Sequence, residues 1–218
     1  MYKEYFKRFS LCLLGLMLYG LGNTMGVKAG EAGTNAWSSL SLGVANISGL
    51  SFGTATLLIS AVVITIDILG KGELGCGMIL NTLFIPIFSD MFLAIFSGIP
   101  NASNMFGGVI LTLLAQVVIA FATVLYLLPC LGAGPRDTLL VIIGRKIPKA
   151  PIGAVKFGIE MCVLLVGFLL GAPFGLGTVL ILILQASIFQ SVCKLCRFEI
   201  RSVKHESIAI TVKRLMGH

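Results

Sequence analysis

The sequence predicts an all-α protein, a polytopic membrane helix bundle made of two tandem pseudo-repeats. Hydrophobic residues make up 57% of the 218 residues and charged residues only 11%, and the mean hydropathy is +1.02. A soluble domain carries about 25% charged residues, so lipid must surround most of this chain. We therefore expect residues 1–218 to form a single integral membrane domain.

A glycine-rich pattern that occurs once in each half of the chain predicts the repeats. Residues 33–40 (GTNAWSSL) align with residues 132–139 (GAGPRDTL) at a separation of 99 residues. A duplicated apolar chain of this kind is typical of membrane proteins with internal repeats, including many transporters. One inserted residue moves the separation to 100, at which Gly53, Gly75 and Gly77 align with Gly153, Gly175 and Gly177. We place repeat one at about 8–98, repeat two at about 104–194 and a basic tail at 195–218.

The apolar runs predict six full membrane spans and two shorter membrane helices. A helix needs about 20 residues to cross ~30 Å of hydrocarbon. If the two short runs cross the bilayer, each repeat has four spans and the repeats are parallel. If they re-enter, each repeat has three spans and the repeats are inverted, which is the arrangement that we favour. The full spans are predicted at 8–28, 51–70, 75–98, 104–129, 152–171 and 174–194, and the short runs at 36–49 and 137–147.

The net charge of +7 is concentrated in three basic clusters. These clusters lie at the N-terminus, between residues 145 and 156, and from residue 194 to residue 214. Loops rich in Lys and Arg stay on the cytoplasmic side of a membrane, so both termini and the loop near residue 147 are predicted to be cytoplasmic. Nucleic-acid binding would need a basic face with aromatic or polar readers. The sequence has no such face, and we expect no nucleic-acid partner.

Ionisable side chains inside the predicted spans are candidates for function, because a charge in hydrocarbon is costly unless it is paired or hydrated. Asp90 and Glu160 lie well inside their spans, and Lys156 lies one helical turn before Glu160, where the two can pair. Asp67 falls near a span end and could reach an interface. For all of these residues, hydrogen bonding between helices is the alternative to a substrate role. It is the favoured reading for two single amides, Gln116 and Gln185.

The segment from Gly132 to Asp137 ends one helix and begins another. Pro135 suits an early helical position because that N–H has no intrahelical partner, and Asp137 in the first turn complements the helix dipole. The segment is therefore either a capped helix start or a helix N-terminus within the membrane. In the second case it presents free N–H groups to a polar or anionic ligand, and Arg136 adds a fixed positive charge.

The positions of repeat one that align with this segment include Asn35, Trp37 and Ser38. Trp37 is the only tryptophan in the chain and could instead anchor the protein at the membrane interface. The doubled turn and the intramembrane acids together predict one polar site between the repeats. Its candidate substrate-binding residues are Asn35, Ser38, Asp90, Arg136, Asp137 and Glu160.

The six cysteines do not form a recognisable framework. Four are scattered through apolar spans, where cysteine acts as a small hydrophobic residue. Cys193 and Cys196 form a CxxC pair, but a zinc site would need further ligands, and the chain has only two histidines. No Ser/His/Asp grouping, phosphate loop or HExxH motif is present. We therefore expect no catalytic residues, no metal and no cofactor, and we expect that the protein is not an enzyme.

The residues also carry a family resemblance. The run from Gly132 to Leu139, followed by Gly153, Glu160, Gly171 and Gly175-Leu-Gly-Thr178, resembles the YczE/YitT group of bacterial integral membrane proteins. Repeat one is similar to the companion Pro-Trp-Asp motif and to a later stretch matched by Asn81 and Asp90. It departs from that motif at Ala36 and Ser38, which occupy the positions of the group's proline and acid. The resemblance extends to about residue 194 and implies a multi-pass protein of the bacterial inner membrane.

The sequence therefore predicts a transporter that moves a small polar or anionic solute through a site between the repeats. The alternative is a non-transporting accessory or regulatory protein that binds a protein partner or lipid. An intramembrane enzyme acting on lipid is least favoured, because no nucleophile–base spacing is visible. The expected surroundings are the lipid bilayer, and self-association into a homo-oligomer stays open.

Overall fold

The computed structural model describes residues 2–72 and 75–198, which form eight α-helices and one short 3-10 turn at Gly30–Ala32. The prediction of an all-α fold is confirmed, since no strand occurs in these two ranges. Most of the predicted basic tail lies outside the described residues. The helices are α1 (Tyr2–Lys28), α2 (Ala36–Ser48), α3 (Phe52–Leu69), α4 (Cys76–Ile95), α5 (Met105–Leu127), α6 (Pro135–Lys146), α7 (Ile152–Leu169) and α8 (Leu176–Leu195).

Six of the eight helices, all except α2 and α6, are long and apolar enough to cross a membrane. Each corresponds to one of the six spans predicted from sequence. Their outward surfaces carry large exposed hydrophobic side chains, such as Leu69, Phe106 and Leu169. Helices satisfy their own backbone hydrogen bonds, so such surfaces are stable in hydrocarbon. The predicted polytopic membrane bundle is therefore confirmed.

The helices pack as a row of four and a ring of four. The row has the order α4–α1–α5–α8, and in the ring each of α2, α3, α6 and α7 contacts two others, in the order α2–α3–α6–α7–α2. The row meets the ring mainly where α3 packs against α4, with smaller contacts between α1 and α2 and between α4 and α6. The row and the ring each contain two helices from the first half of the chain and two from the second half, so the two halves are intertwined.

Glycines allow α1 and α5 to approach closely at the centre of the row. A Cβ on Gly15 would lie 2.6 Å from the backbone nitrogen of Tyr126, and one on Gly22 would lie 2.6 Å from Ile119. Nearer the other end, a Cβ on Gly108 would lie 2.7 Å from the carbonyl oxygen of Ala29. The pairing runs in opposite directions along the two helices, so α1 and α5 are antiparallel. Small residues at such contacts are the usual means of close packing between membrane helices.

The bundle has two ends, which we call the basic end and the opposite end. At the basic end the Arg8 guanidinium donates to the carbonyl oxygen of Pro129 at 2.5–2.8 Å, which joins the start of α1 to the chain after α5. At the opposite end the Lys28 ammonium donates to the carbonyl oxygen of Ile99 at 2.7 Å. Of the Lys and Arg residues that the structure describes, all except Lys28 and Arg136 lie at the basic end.

The two short helices re-enter rather than cross. The Ser38 hydroxyl, in the first turn of α2, lies 3.3 Å from Oδ1 of Asn23, which is about 7 Å inside the opposite end at 1.5 Å per residue. In the last turn of α2, Asn46 donates to the carbonyl oxygen of Gly171, back at that end. Likewise, α6 begins beside Asn81, about 7 Å inside the basic end, and returns to that end. This course gives three spans in each half of the chain, as in the inverted alternative, and that the two halves are inverted repeats stays a prediction.

Helix contacts in one half have counterparts in the other. The pairs α1–α4 and α5–α8 correspond, as do α2–α3 and α6–α7, and α2–α7 corresponds to α6–α3. This is the pattern that two inverted halves would produce around a pseudo-two-fold axis. The division into repeats at 8–98 and 104–194 stays a prediction from the sequence.

Candidate functional site

A cavity of about 370 Å³ lies between the row and the ring. Every helix except α3 contributes to its lining, and the first turns of both short helices reach it. Four of the six predicted site residues line the cavity: Asn35, Arg136, Asp137 and Glu160. Ser38 and Asp90 are not among the lining residues. A substrate role for all six stays a prediction.

The start of α6 faces the cavity. Gly134 precedes the helix in an extended conformation and Pro135 is its first residue, as the sequence predicts, and no side chain caps this N-terminus. Asp137 accepts a hydrogen bond from the hydroxyl of Tyr126 at 3.0 Å rather than capping a backbone amide. The helix therefore directs the positive end of its dipole towards the cavity. The side-chain-capped alternative for this turn is therefore not the arrangement in the structure, and the binding of a ligand at the free N–H groups stays a prediction.

Arg136 lies on the ring side of the cavity and is held by an aromatic side chain. Its guanidinium carbon is 4.8 Å from the ring centroid of Trp37, a cation–π contact. Among the described residues no carboxylate lies within ion-pair distance of Arg136. Trp37 therefore packs inside the bundle as a partner of Arg136 and does not anchor the protein at the interface.

Glu160 is buried on α7 and has two partners. Lys156, one turn earlier, places its ammonium 3.8 Å from one carboxylate oxygen, which confirms the pairing predicted from their spacing. The amide of Gln185 on α8 donates to the other oxygen. Lys156 and Gln185 also line the cavity, so the amide predicted to join helices does so at the wall of the candidate site.

Asn35 and Ser38 belong to one polar network at the start of α2. The side chain of Asn35 accepts from the backbone N–H of Ser38 at 3.0 Å, which caps the helix and leaves the amide group at the cavity. The Ser38 hydroxyl is buried against Asn23, whose amide contacts the Ser89 hydroxyl at 3.3 Å. Ser38 thus connects α2 to α1 and α4 behind the cavity wall.

Asp90 holds the row to the ring away from the cavity. Its carboxylate accepts from the backbone N–H of Gly53 at 2.6 Å and from the hydroxyl of Ser51 at 2.5 Å. These donors are at the N-terminus of α3, where a carboxylate is favoured by the helix dipole. For Asp90 the structure therefore shows the helix-joining alternative, through contacts that sequence spacing could not reveal.

Sequence reasoning missed three polar residues of the cavity wall, which are Tyr19 on α1 and Thr123 and Tyr126 on α5. The two tyrosines contact each other edge to face, with ring centroids 6.5 Å apart. None of the three carries a sequence signal that separates it from ordinary packing residues, whereas Asn81, which also lines the cavity, was visible as an intramembrane amide.

The carboxyl group of Asp67 is fully buried, and neither of its oxygens is hydrogen-bonded among the described residues. It lies in the last turn of α3, near where that helix packs on α6, and not at the cavity or at an exposed interface. Among the described residues no three His, Cys, Asp or Glu side chains come together as metal ligands.

The fold and the cavity define a multi-pass helical membrane protein with a polar, charge-bearing pocket between two groups of helices. Residues 6–194 match a family of unknown function, DUF6198. The chain belongs to this family. It is 37% identical over 175 residues to an uncharacterized protein of Haemophilus influenzae, which covers 80% of this chain and 78% of that protein.

A second relative is the uncharacterized membrane protein YczE of Bacillus subtilis, 27% identical over 191 residues, or 87% of each chain. The resemblance to YczE-like proteins predicted from sequence is confirmed by these matches. No solved structure matches this chain.

Proposed function

We propose that the protein is a transporter that binds a small polar or anionic solute in the cavity between the row and the ring. The observation that carries the proposal is Arg136, a cation at the cavity wall without a carboxylate partner in the described part of the chain. The proposal is of a binding and transport protein, not of an enzyme.

A guanidinium without an anionic partner at membrane depth is costly, by about 3 kcal/mol or more on insertion scales. The hydrogen bond with the side chain of Tyr19 and the contact with Trp37 offset part of this cost, since cation–π contacts contribute about 0.5–2 kcal/mol. Water or an anionic group in the cavity would supply the remainder. A guanidinium offers a planar fork of donors that matches carboxylate or phosphate groups, so an anionic group is the expected ligand of Arg136.

The rest of the wall supports a solute of small net charge. The dipole of α6 adds partial positive charge beside Arg136, whereas Glu160 is balanced by Lys156. Asp137 and the amides of Asn35 and Asn81 provide further hydrogen-bonding groups. Transporters with discontinuous helices use the same arrangement, in which half-helix N-termini face the anionic part of the substrate.

The distribution of charge supports the proposed orientation in a bacterial inner membrane. Lys and Arg gather at the basic end, and the positive-inside rule places that end in the cytoplasm. The start of α1 and the end of α8 both lie there, so both termini are proposed to be cytoplasmic. An alkaline phosphatase fused to the C-terminus should be inactive in intact cells, and an active fusion would contradict this orientation.

Binding to the purified protein tests the proposal. Thermal unfolding in detergent would be followed with phosphate, sulfate, dicarboxylates, amino acids and nucleotides, each at millimolar concentration. A compound that binds at 100 times its Kd stabilises the folded protein by about 2.7 kcal/mol. We expect at least one compound class to raise the melting temperature, and we expect Arg136→Gln to abolish that shift.

The matched control is Arg145→Gln, which removes the same charge from the same helix at an exposed position outside the cavity. It should keep the shift of the unsubstituted protein. If no compound shifts the melting temperature, or if the two variants respond alike, the cavity is not a solute site. An accessory protein would then be the better account.

A further inference from the structure

Two pairs of helices connect the row to the ring at equivalent places in the two halves: α3 with α4, which we call the first seam, and α7 with α8, which we call the second seam. They are equivalent in sequence but differ in structure. At the separation of 100 residues, Ser51 and Asp90 correspond to Pro151 and Gln190. In the first seam α3 packs on α4, and the Asp90 carboxylate accepts from Ser51 and from the amide of Gly53. A Cβ on Gly53 would lie 2.4 Å from the carbonyl oxygen of Pro86, so this glycine allows the contact.

The second seam, between α7 and α8, is open at the basic end. These two helices are not among the closely packed pairs. A Cβ on Gly153 would have no atom within 4 Å, and both Pro151 and Gln190 are exposed. In the described part of the chain the bond from Gln185 to Glu160 is the side-chain hydrogen bond that joins α7 to α8.

The open seam leads to the cavity. Lys156, Ile159 and Glu160 on α7 and Gln185 and Phe189 on α8 all line the cavity. Lys156 lies one turn from the start of α7 at the basic end and is 47% exposed. On one side of the cavity α4 lines the wall and is covered by α3, whereas on the other side α7 and α8 both line the wall without packing closely on each other.

We propose that α7 and α8 form the gate of the cavity at the basic end, and that α7 closes on α8 as α3 is now closed on α4. The inference rests on the proposed function for its purpose, since a gate serves the passage of solute. In the closed state Gly153 packs against α8 near Ala186, the counterpart of Pro86, and residue 151 approaches residue 190.

The two seams have matching backbone at the start of the ring helix. Ser51 has φ −66° and ψ 157°, and Pro151 has φ −63° and ψ 141°, so α7 can adopt the contact that α3 makes. The side chains differ, because proline and glutamine cannot reproduce the hydroxyl–carboxylate bond. Positions 51, 53 and 90 of the first seam are thus joined by two hydrogen bonds to a charged group. Among the described residues the equivalent positions 151, 153 and 190 make none, which suits a contact that forms and breaks.

Disulfide trapping tests the gate in isolated membranes. In a background without Cys76, Cys130, Cys162, Cys193 and Cys196, the buried Cys12 is kept because it cannot react. The test variant carries Pro151→Cys with Gln190→Cys, and mild oxidation is followed by mass spectrometry of the linked peptides. A disulfide needs Cα atoms about 4.4–6.8 Å apart, so it forms only if α7 reaches α8.

Two control pairs bracket the result. Ser51→Cys with Asp90→Cys joins positions already in contact and should link almost completely. Pro151→Cys with Phe174→Cys places cysteines at opposite ends of α7 and α8 and should stay reduced. We expect the 151–190 pair to link more slowly than the 51–90 pair but at least tenfold faster than the 151–174 pair.

A 151–190 pair that stays reduced while the 51–90 pair links would overturn the gate. Linking of the 151–190 and 151–174 pairs at the same rate would overturn it as well, because the reaction would then not report α7 closure. The readout needs no solute, so the gate and the proposed function fail separately. Solute binding without 151–190 linking would support the proposed function and contradict the gate. Linking without any solute binding would support the gate and contradict the proposed function.

Discussion

The contrast between Gly53 and Gly153 gives a quantitative test of the row-and-ring packing. Both are early residues of a ring helix at equivalent positions of the two halves. A methyl group at Gly53 would lie 2.4 Å from the carbonyl oxygen of Pro86 and 2.5 Å from Cγ of Asp90. Ordinary contacts begin near 3.4 Å, so Gly53→Ala requires α3 and α4 to separate by about 1 Å.

Three contributions set the size of the effect. Overpacking of this kind costs about 1–3 kcal/mol, and weakening the hydrogen bonds to the Asp90 carboxylate costs about 1.5–3 kcal/mol. The higher helix propensity of alanine relative to glycine stabilises the folded protein by about 1 kcal/mol, which offsets part of these costs. We expect Gly53→Ala to lower the free energy of unfolding by roughly 1.5–5 kcal/mol. Gly153→Ala meets no atom and should raise it by up to about 1 kcal/mol.

The assay is reversible unfolding in mixed detergent micelles with increasing denaturing detergent, followed by far-UV circular dichroism and Trp37 fluorescence. Asp90→Ala should destabilise as well, and the double variant with Gly53→Ala should be less than additive because both act on one contact. Equal effects of the two alanine substitutions would refute the reasoning. So would additive behaviour of Gly53→Ala and Asp90→Ala.

Two further predictions concern polar groups inside the bundle. Asp67→Asn should leave the free energy of unfolding unchanged or raise it. Neither carboxylate oxygen has a partner among the described residues, and a neutral amide is cheaper to bury than an unpaired charge. A loss above about 1 kcal/mol in the same detergent titration would show that the carboxylate has a stabilising partner. Tyr126→Phe should lower the free energy of unfolding by about 1.5–3 kcal/mol through loss of the hydrogen bond to the Asp137 carboxylate, and Asp137→Asn added to it should change little more. A full additional loss from Asp137→Asn would contradict that pairing.

Most of the fold was predictable because lipid simplifies the sequence pattern. A span must be apolar over about 20 residues, so the six long helices follow from hydropathy alone. The two short helices follow from length and from the glycine-rich turns before them. Their re-entrant course was the favoured alternative but could not be decided from the sequence, because it depends on contacts such as Ser38 with Asn23 and Gly134 with Asn81, which join residues far apart in the chain.

The candidate site was predictable in part for a similar reason. Arg136, Asp137 and Glu160 stand out because charge is rare in the spans, and Asn35 follows from its alignment with the turn of repeat two. Asp90 stands out equally, yet its position on α4 directs it to α3 and not to the cavity. Rarity of charge identifies residues under constraint but does not separate a ligand contact from a helix-joining bond.

The ring of α2, α3, α6 and α7 has a consequence for how the chain is assembled during synthesis. Its helices α2 and α3 leave the ribosome first, but their partners α7 and α6 come from the second half. The N-terminal α1 likewise waits for α5, on which its glycines pack, and the partners of the Arg8–Pro129 bond are 121 residues apart. The first half therefore enters the bilayer with the surface of α2 that packs on Gly167 of α7 still uncovered, and the bundle closes late, once α7 is made.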